Sequence, residues 1–242
     1  DTFAAGSAMD IIGAGPTLRN CVFKNNEGVA LYMDEASASL HGCVFEGNDY
    51  GLLAQQTTAS LYECIVRNNH DKGILVFNGN HMELTDCSFL NNTGTDGAGI
   101  RVLGSLGSVV ILLRCEFSGN VAEKGSAFYG SGSPEITMTH CSFMENSSSD
   151  VGGALYVSSV DNLHLSNCII GGNSAGATGG GLSCQFIDNA TFDACTFDGN
   201  IANSWGGGMS CSSITNLSLS HCDFRNNTNT RFHGGALNAS SS

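Results

Sequence analysis

Charge is scarce in this chain. Asp, Glu, Lys and Arg make up 13 % of its 242 residues, against about a quarter in an ordinary globular domain. Basic residues are the scarcer sign: nine Lys and Arg face 22 Asp and Glu, a formal net charge of −13. No basic stripe exists to overcome that repulsion, so no nucleic acid is expected as a partner, and anionic membrane surfaces are disfavoured. Neutral glycans, basic proteins and divalent cations stay open. No stretch is apolar for long enough to span a bilayer, so no membrane insertion of this segment is expected. The opening residues, DTFAAGSAMD, lack the basic start and apolar run of a signal peptide; a secreted protein would be met here in mature or trimmed form. Proline occurs only twice, and with 41 % hydrophobic residues the composition is too apolar for a disordered chain. There is no G-x-S-x-G phrase to mark a nucleophile elbow. The 11 cysteines include no C-x-x-C pair and no finger-like Cys–His spacing, so no cofactor or metal is expected, Ca²⁺ being conceivable but unsupported.

A repeat is present instead. LRNCVFKNN (18–26), LHGCVFEGN (40–48) and LYECIVRNN (61–69) are three of nine copies of one phrase. Its cysteines are Cys21, Cys43, Cys64, Cys87, Cys115, Cys141, Cys168, Cys195 and Cys222, in steps of 21–28 residues. An apolar residue stands three places before each cysteine (Leu18 to Leu219) and another two places after it (Phe23 to Phe224). Five places after it is always asparagine: Asn26, Asn48, Asn69, Asn92, Asn120, Asn146, Asn173, Asn200 and Asn227. A second phrase follows each first one, as in GVALYM, GILVF, GAGIRV, GGALYV and GGGLSC, with GLLAQ a looser version.

A fixed period of this length means a solenoid. Helical repeats are excluded, because no 3.6-residue apolar periodicity runs for ten residues. The leucine-rich pattern is missing too. Short strands bounded by Asn and Gly corners remain. The expected fold is all-β: a single-stranded right-handed parallel β-helix, a pectate-lyase-like solenoid of about nine coils of 21–28 residues, occupying 1–242 as one domain. At about 4.8 Å per coil, nine coils make a rod of about 45 Å. Like residues then stack in columns. Cys and Phe share one inward face, and a bend separates the Leu at −3 from them. The asparagines form a structural ladder at the following corner, each amide bonding its equivalents above and below and satisfying corner backbone. The Gly-Gly pairs permit the unusual φ values of the next corner. Coils lengthen after Cys87, mainly in the corner before the Gly pair, and inserted corners are where a solenoid usually carries specificity.

The cysteine column is read as buried free thiols acting as small hydrophobes, with inter-coil disulfides as the alternative. Cys184 and Cys211 stand at an inward position of the second strand; they are further core fillers or one disulfide. N-x-[ST] occurs at Asn91, Asn146, Asn189, Asn216, Asn226 and Asn238. Asn146 belongs to the ladder, which leaves Asn91, Asn189, Asn216, Asn226 and Asn238 as glycosylation candidates. Asn162, Asn189 and Asn216 repeat at 27 residues, a second short ladder that would be structural if it faced inward. Glu63, Asp86, Arg114, Glu116 and His140, read as outward strand positions, are the one enzymatic candidate: an acidic cluster with a basic residue is what a Ca²⁺-dependent polysaccharide lyase requires, and paired carboxylates what a hydrolase requires. The plainer reading is a polar outward face. Val22, Val44 and Ile65 form an outward apolar stripe. Trp205 and His233 are equivalent corner positions, with Phe232 adjacent, where an aromatic stacks on a sugar or folds the corner down.

The paired phrases F-x-x-N (FKNN, FEGN, FLNN, FSGN, FMEN, FDGN, FRNN) and G-G-A-[LIV] (152–155 and 234–237) resemble the repeats of the chlamydial polymorphic outer membrane proteins. The resemblance covers essentially the whole chain. It implies a β-helix and surface-exposed adhesive or passenger segments. The expected function is therefore an extracellular, cell-surface, non-enzymatic rod: an adhesin passenger or the protomer of a fibre. Its partners would be a host-surface protein or glycan, or the chain itself. The alternatives are a lyase or hydrolase acting on acidic glycans, and a glycan-binding module. Neither end carries a capping helix, so a segment of a longer solenoid or head-to-tail stacking of copies is expected.

Overall fold

A computed structural model of the chain describes residues 6–78, 81–105, 107–132, 135–231 and 235–240. Every strand pairing among them is parallel, in three sheets of sixteen, nine and five strands. The nine-stranded sheet takes one three-residue strand from each copy of the first phrase, from Val22–Lys24 to Asp223–Arg225. Equivalent residues pair directly: Leu40 with Leu61, Phe89 with Phe117, Val157 with Cys184. The expected parallel β-helix is thus the observed architecture.

One coil shows how the sequence makes it. Val29–Asp34 is a strand, Glu35 a corner, Ser37–His41 a second strand, Gly42 a bend, and Val44–Glu46 the third strand. The bend recurs at the residue before every column cysteine, from Asn20 to His221, with φ between 50° and 59°. A left-handed residue turns the chain so that the −3 residue and the cysteine, of opposite parity, both face inward. The residue before each ladder asparagine is left-handed as well: Asn25, Gly47, Asn68, Asn91, Gly119, Glu145, Gly172, Gly199 and Asn226, with φ between 51° and 66°. Eight of these nine are Asn or Gly, the residues that adopt this conformation at least cost.

The ladder is continuous. Each asparagine from Asn26 to Asn200 donates its backbone N–H and its Nδ2 to the Oδ1 of the next one, at 2.8–3.1 Å. From Asn48 to Asn227, Nδ2 also donates to the carbonyl at the Phe position of the preceding coil, at 2.8–3.2 Å. Asn48 to Asn200 are at most 1 % exposed, so this bonding meets the requirement that buried polar groups be paired. Beside it the phenylalanines stack, with Phe89, Phe117 and Phe143 at centroid spacings of 4.6 and 4.9 Å.

The glycine phrase needs a correction. In the lengthened coils only the first glycine of the phrase is left-handed, as at Gly152 (φ 65°) and Gly179 (φ 66°), whereas Gly51 and Gly73 of the shorter coils are not. The next is kept small by close approach, since a Cβ on Gly153 would stand 1.9 Å from the Gly180 carbonyl oxygen. The third, Gly or Ala, lies under the Phe and Asn columns: a Cβ on Gly181 would meet Ile170 Cγ2 at 2.8 Å and Asn200 Cγ at 3.2 Å. The residues added after Cys87 build the third sheet, whose strands run from Val121–Ala122 to Thr228–Asn229.

Candidate functional site

Glu63, Asp86, Arg114 and His140 do not stand on a strand face. They occupy the left-handed bend, with φ of 51°, 54°, 51° and 54°, and only Glu116 begins a strand. Their side chains are exposed or nearly so, because a bend turns them away from the core. Asp86 and Arg114 are brought together: Nε and Nη2 of Arg114 donate to the two Asp86 carboxylate oxygens at 2.7 Å each. The guanidinium holds the Asp86 carboxyl below the usual carboxylate range, and the carboxylate raises Arg114 in return. For Glu63, Glu116 and His140 no side-chain bond is present among the described residues. No group of three His, Cys, Asp or Glu side chains among the described residues is arranged to hold a metal ion.

Elsewhere the outward charges also pair across coils. Arg67 (2.8 Å) and Lys24 (3.1 Å) converge on Glu46, whose carboxyl they hold below its usual range, Arg67 most strongly. One network centres on a buried lysine and was not singled out in the sequence. Lys72, 3 % exposed, donates to Asp71 at 2.6 Å and lies over the Tyr50 ring. The Tyr50 hydroxyl bonds the same carboxylate. Burial, then Asp71, pushes the Tyr50 phenol up to about 12. Burial pushes the Asp71 carboxyl up, but Lys72 and Tyr50 outweigh it and the net direction is down. The network roofs a small apolar cluster outside the main core: Val29, Leu53 and Leu75 beneath Tyr32, Tyr50 and Phe77. The only signal was a lysine directly before a core glycine, in HDKGILVF.

All 11 cysteines are free thiols. From Cys43 to Cys222, each column Sγ donates to two carbonyls: that of its own residue −2, and that of the −3 residue one coil back. For Cys168 these are Ser166 and Met138, both at 3.4 Å, and for Cys43 they are His41 and Leu18. Burial pushes the Cys43 thiol up, and its neighbour Cys141 pushes Cys115 up to about 12.

Asn162, Asn189 and Asn216 do form a second ladder, with Nδ2–Oδ1 distances of 3.0 and 2.9 Å, but it faces outward and is exposed. Asn91 and Asn226 are exposed at left-handed corners, Asn226 donating to Asp198, and Asn238 is half-buried. In the apolar stripe Val22 is exposed while Val44 and Ile65 are half-buried. Trp205 is partly exposed on its inserted corner; Phe232 and His233 lie outside the described residues. Sequence reasoning also missed Phe186. It is 57 % exposed and left-handed (φ 54°) in a corner column otherwise occupied by glycine and polar residues, such as Gly13, Gln56, Gly132, Ser159 and Ser213. A bulky residue there is a conformational outlier.

A family model described as a right handed beta helix region matches residues 2–111. The fold is a right-handed parallel β-helix. The matched part of this β-helix holds the three shorter coils, from Cys21 to Cys87, and reaches into the first lengthened one, ending just before Cys115. No curated protein matches the chain.

Proposed function

We propose that this β-helix is a non-enzymatic extracellular rod that displays its outward faces to a host-surface protein or glycan, as an adhesin passenger or fibre protomer. The observation that carries this reading is the unbroken asparagine ladder. It gives every coil the same interior whatever the residues outside, so outward positions vary freely for recognition. In a fibre, the coil of Asn227 would continue the column into the coil of Asn26 of a second copy. The likeness of the F-x-x-N and G-G-A-[LIV] phrases to chlamydial surface repeats supports the adhesive role. The competing lyase or hydrolase would use Glu63, Asp86, Arg114, Glu116 and His140, with Ca²⁺ in the lyase case. It is less well supported, because a base or substrate clamp at Arg114 must first give up both hydrogen bonds to Asp86.

The test has two arms. Uronic-acid polymers incubated with the chain, with and without Ca²⁺, should yield no unsaturated product; turnover that Arg114→Gln abolishes would replace the rod with the enzyme. Immobilised chain should retain a host-surface glycan or protein, with retention changed by substitutions on one outward face. Binding indifferent to every outward substitution would refute the display role.

A further inference from the structure

We propose that Cys184 and Cys211 form a covalent modification site, an inter-coil disulfide that staples Leu182–Asp193 to Met209–Ser220. The two residues pair directly in the parallel register and are 1 % and 2 % exposed. Their Sγ atoms lie 2.8 Å apart, roughly 0.8 Å more than a disulfide bond. These two thiols differ from the rest. The column thiols from Cys43 to Cys222 face two carbonyls each, and oxidising any of them would strip hydrogen bonds from a bend. Cys184 and Cys211 have only each other. Their column continues as Val157 on one side and Ala239 on the other, so neither thiol has a competing sulfur in register. The bond's torsion near 90° requires the two χ1 angles to differ, and small Ala239 leaves Cys211 that rotation.

The oxidant is a small-molecule disulfide such as oxidised glutathione. The thiolate of one cysteine attacks it, forming a mixed disulfide and releasing one glutathione thiol. The second cysteine attacks the mixed disulfide and releases the other. Two protons leave the protein, its two sulfurs are oxidised, and the glutathione disulfide is reduced to two thiols. Burial of both sulfurs places the exchange during folding, or in an opening of these coils. Such a bond would persist in an oxidising compartment.

The full chain, refolded in a glutathione redox buffer, is alkylated in denaturant and analysed by intact mass and peptide mapping. The expected product has nine alkylated cysteines and one link joining the peptides that contain Cys184 and Cys211. Its thermal midpoint should fall on reduction, and the shift should vanish in the Cys184→Val/Cys211→Val double variant, which places the residue of the neighbouring coil at both positions. Eleven alkylated thiols at every redox poise, or a link drawn from the main column, would overturn the assignment.

Discussion

Replacing Asn120 by alanine tests the physical basis of the rod most directly. Asn120 is fully buried at the middle of the ladder. Its Oδ1 accepts from the N–H and Nδ2 of Asn92 at 3.0 and 3.1 Å, and its Nδ2 donates to the Phe89 carbonyl at 3.0 Å and to Asn146 Oδ1 at 2.9 Å. Alanine keeps the backbone bond to Asn146 and deletes the other four. It leaves two buried donors without partners: the Asn92 N–H and one Asn92 amide hydrogen. At about 1–3 kcal/mol each, the loss is about 2–6 kcal/mol, against a total stability of about 5–15 kcal/mol for a typical domain. Asn26→Ala is the internal control. Asn26 is half-buried, accepts nothing from a preceding ladder residue and gives up one side-chain bond, a loss of about 0.5–1.5 kcal/mol.

Urea unfolding followed by circular dichroism gives the two losses, and amide hydrogen exchange locates them. In a solenoid the lesion should be local, with protection falling in the coils of Asn92 and Asn120 before distant ones. Asn120→Asp keeps the volume and the acceptor but removes both donors, which separates lost hydrogen bonds from lost packing. Equal losses for Asn26→Ala and Asn120→Ala, or a loss below about 1 kcal/mol for the second, would refute the ladder as the main polar support of the fold.

Three further outcomes are expected. Phe186→Asn should raise stability by about 1 kcal/mol, since asparagine adopts the left-handed conformation more cheaply than an exposed aromatic; a drop in the urea midpoint would reveal a contact made by the ring. Gly153→Ala should cost about 3 kcal/mol or prevent folding, because its Cβ would enter the Gly180 carbonyl; recovery of soluble chain with an unchanged midpoint would contradict the packing at that corner. The Tyr50 phenol, raised to about 12 in the folded state, keeps a proton that the unfolded chain loses near its ordinary value of 10. Its contribution is intact below the unfolded value and is lost as pH rises through the folded one. Alkaline unfolding should therefore weaken in Tyr50→Phe, and phenolate absorbance should lose its last-titrating step.

The columns were legible because a solenoid repeats one environment nine times, so invariant positions such as Asn26 to Asn227 stand out within a single chain. The left-handed corner before the ladder was legible in principle: NN, GN and EN precede or contain every ladder residue, and Asn and Gly dominate for a conformational reason. The bend before the cysteine was not. Asn, Gly, Glu, Asp, Arg, His and Ala all occupy it, so no residue preference marks it, and it passed for an outward strand position. The paired backbone on either side imposes the conformation. The Lys72 network was hidden for another reason: besides its sequence neighbour Asp71, its partners Tyr50 and Thr95 lie one coil away on either side, and such contacts across coils leave no periodic trace.

The bend also explains why its neighbour is cysteine. An inward residue directly after a left-handed turn must be small and apolar, which alanine satisfies. It also lies against two carbonyls at the bend, which alanine cannot serve. A thiol meets both demands, as a small hydrophobe carrying a weak donor. That a sulfur donates to both carbonyls in each of eight successive coils ties the column to backbone geometry and not to redox chemistry. On this argument Cys→Ala within the column trades a weak hydrogen bond for a small cavity, and Cys→Val overfills the turn. Cys184 and Cys211 lie away from that bend and face no carbonyl, so the requirement that selects the other nine does not account for them. Their remaining shared property is their proximity to each other.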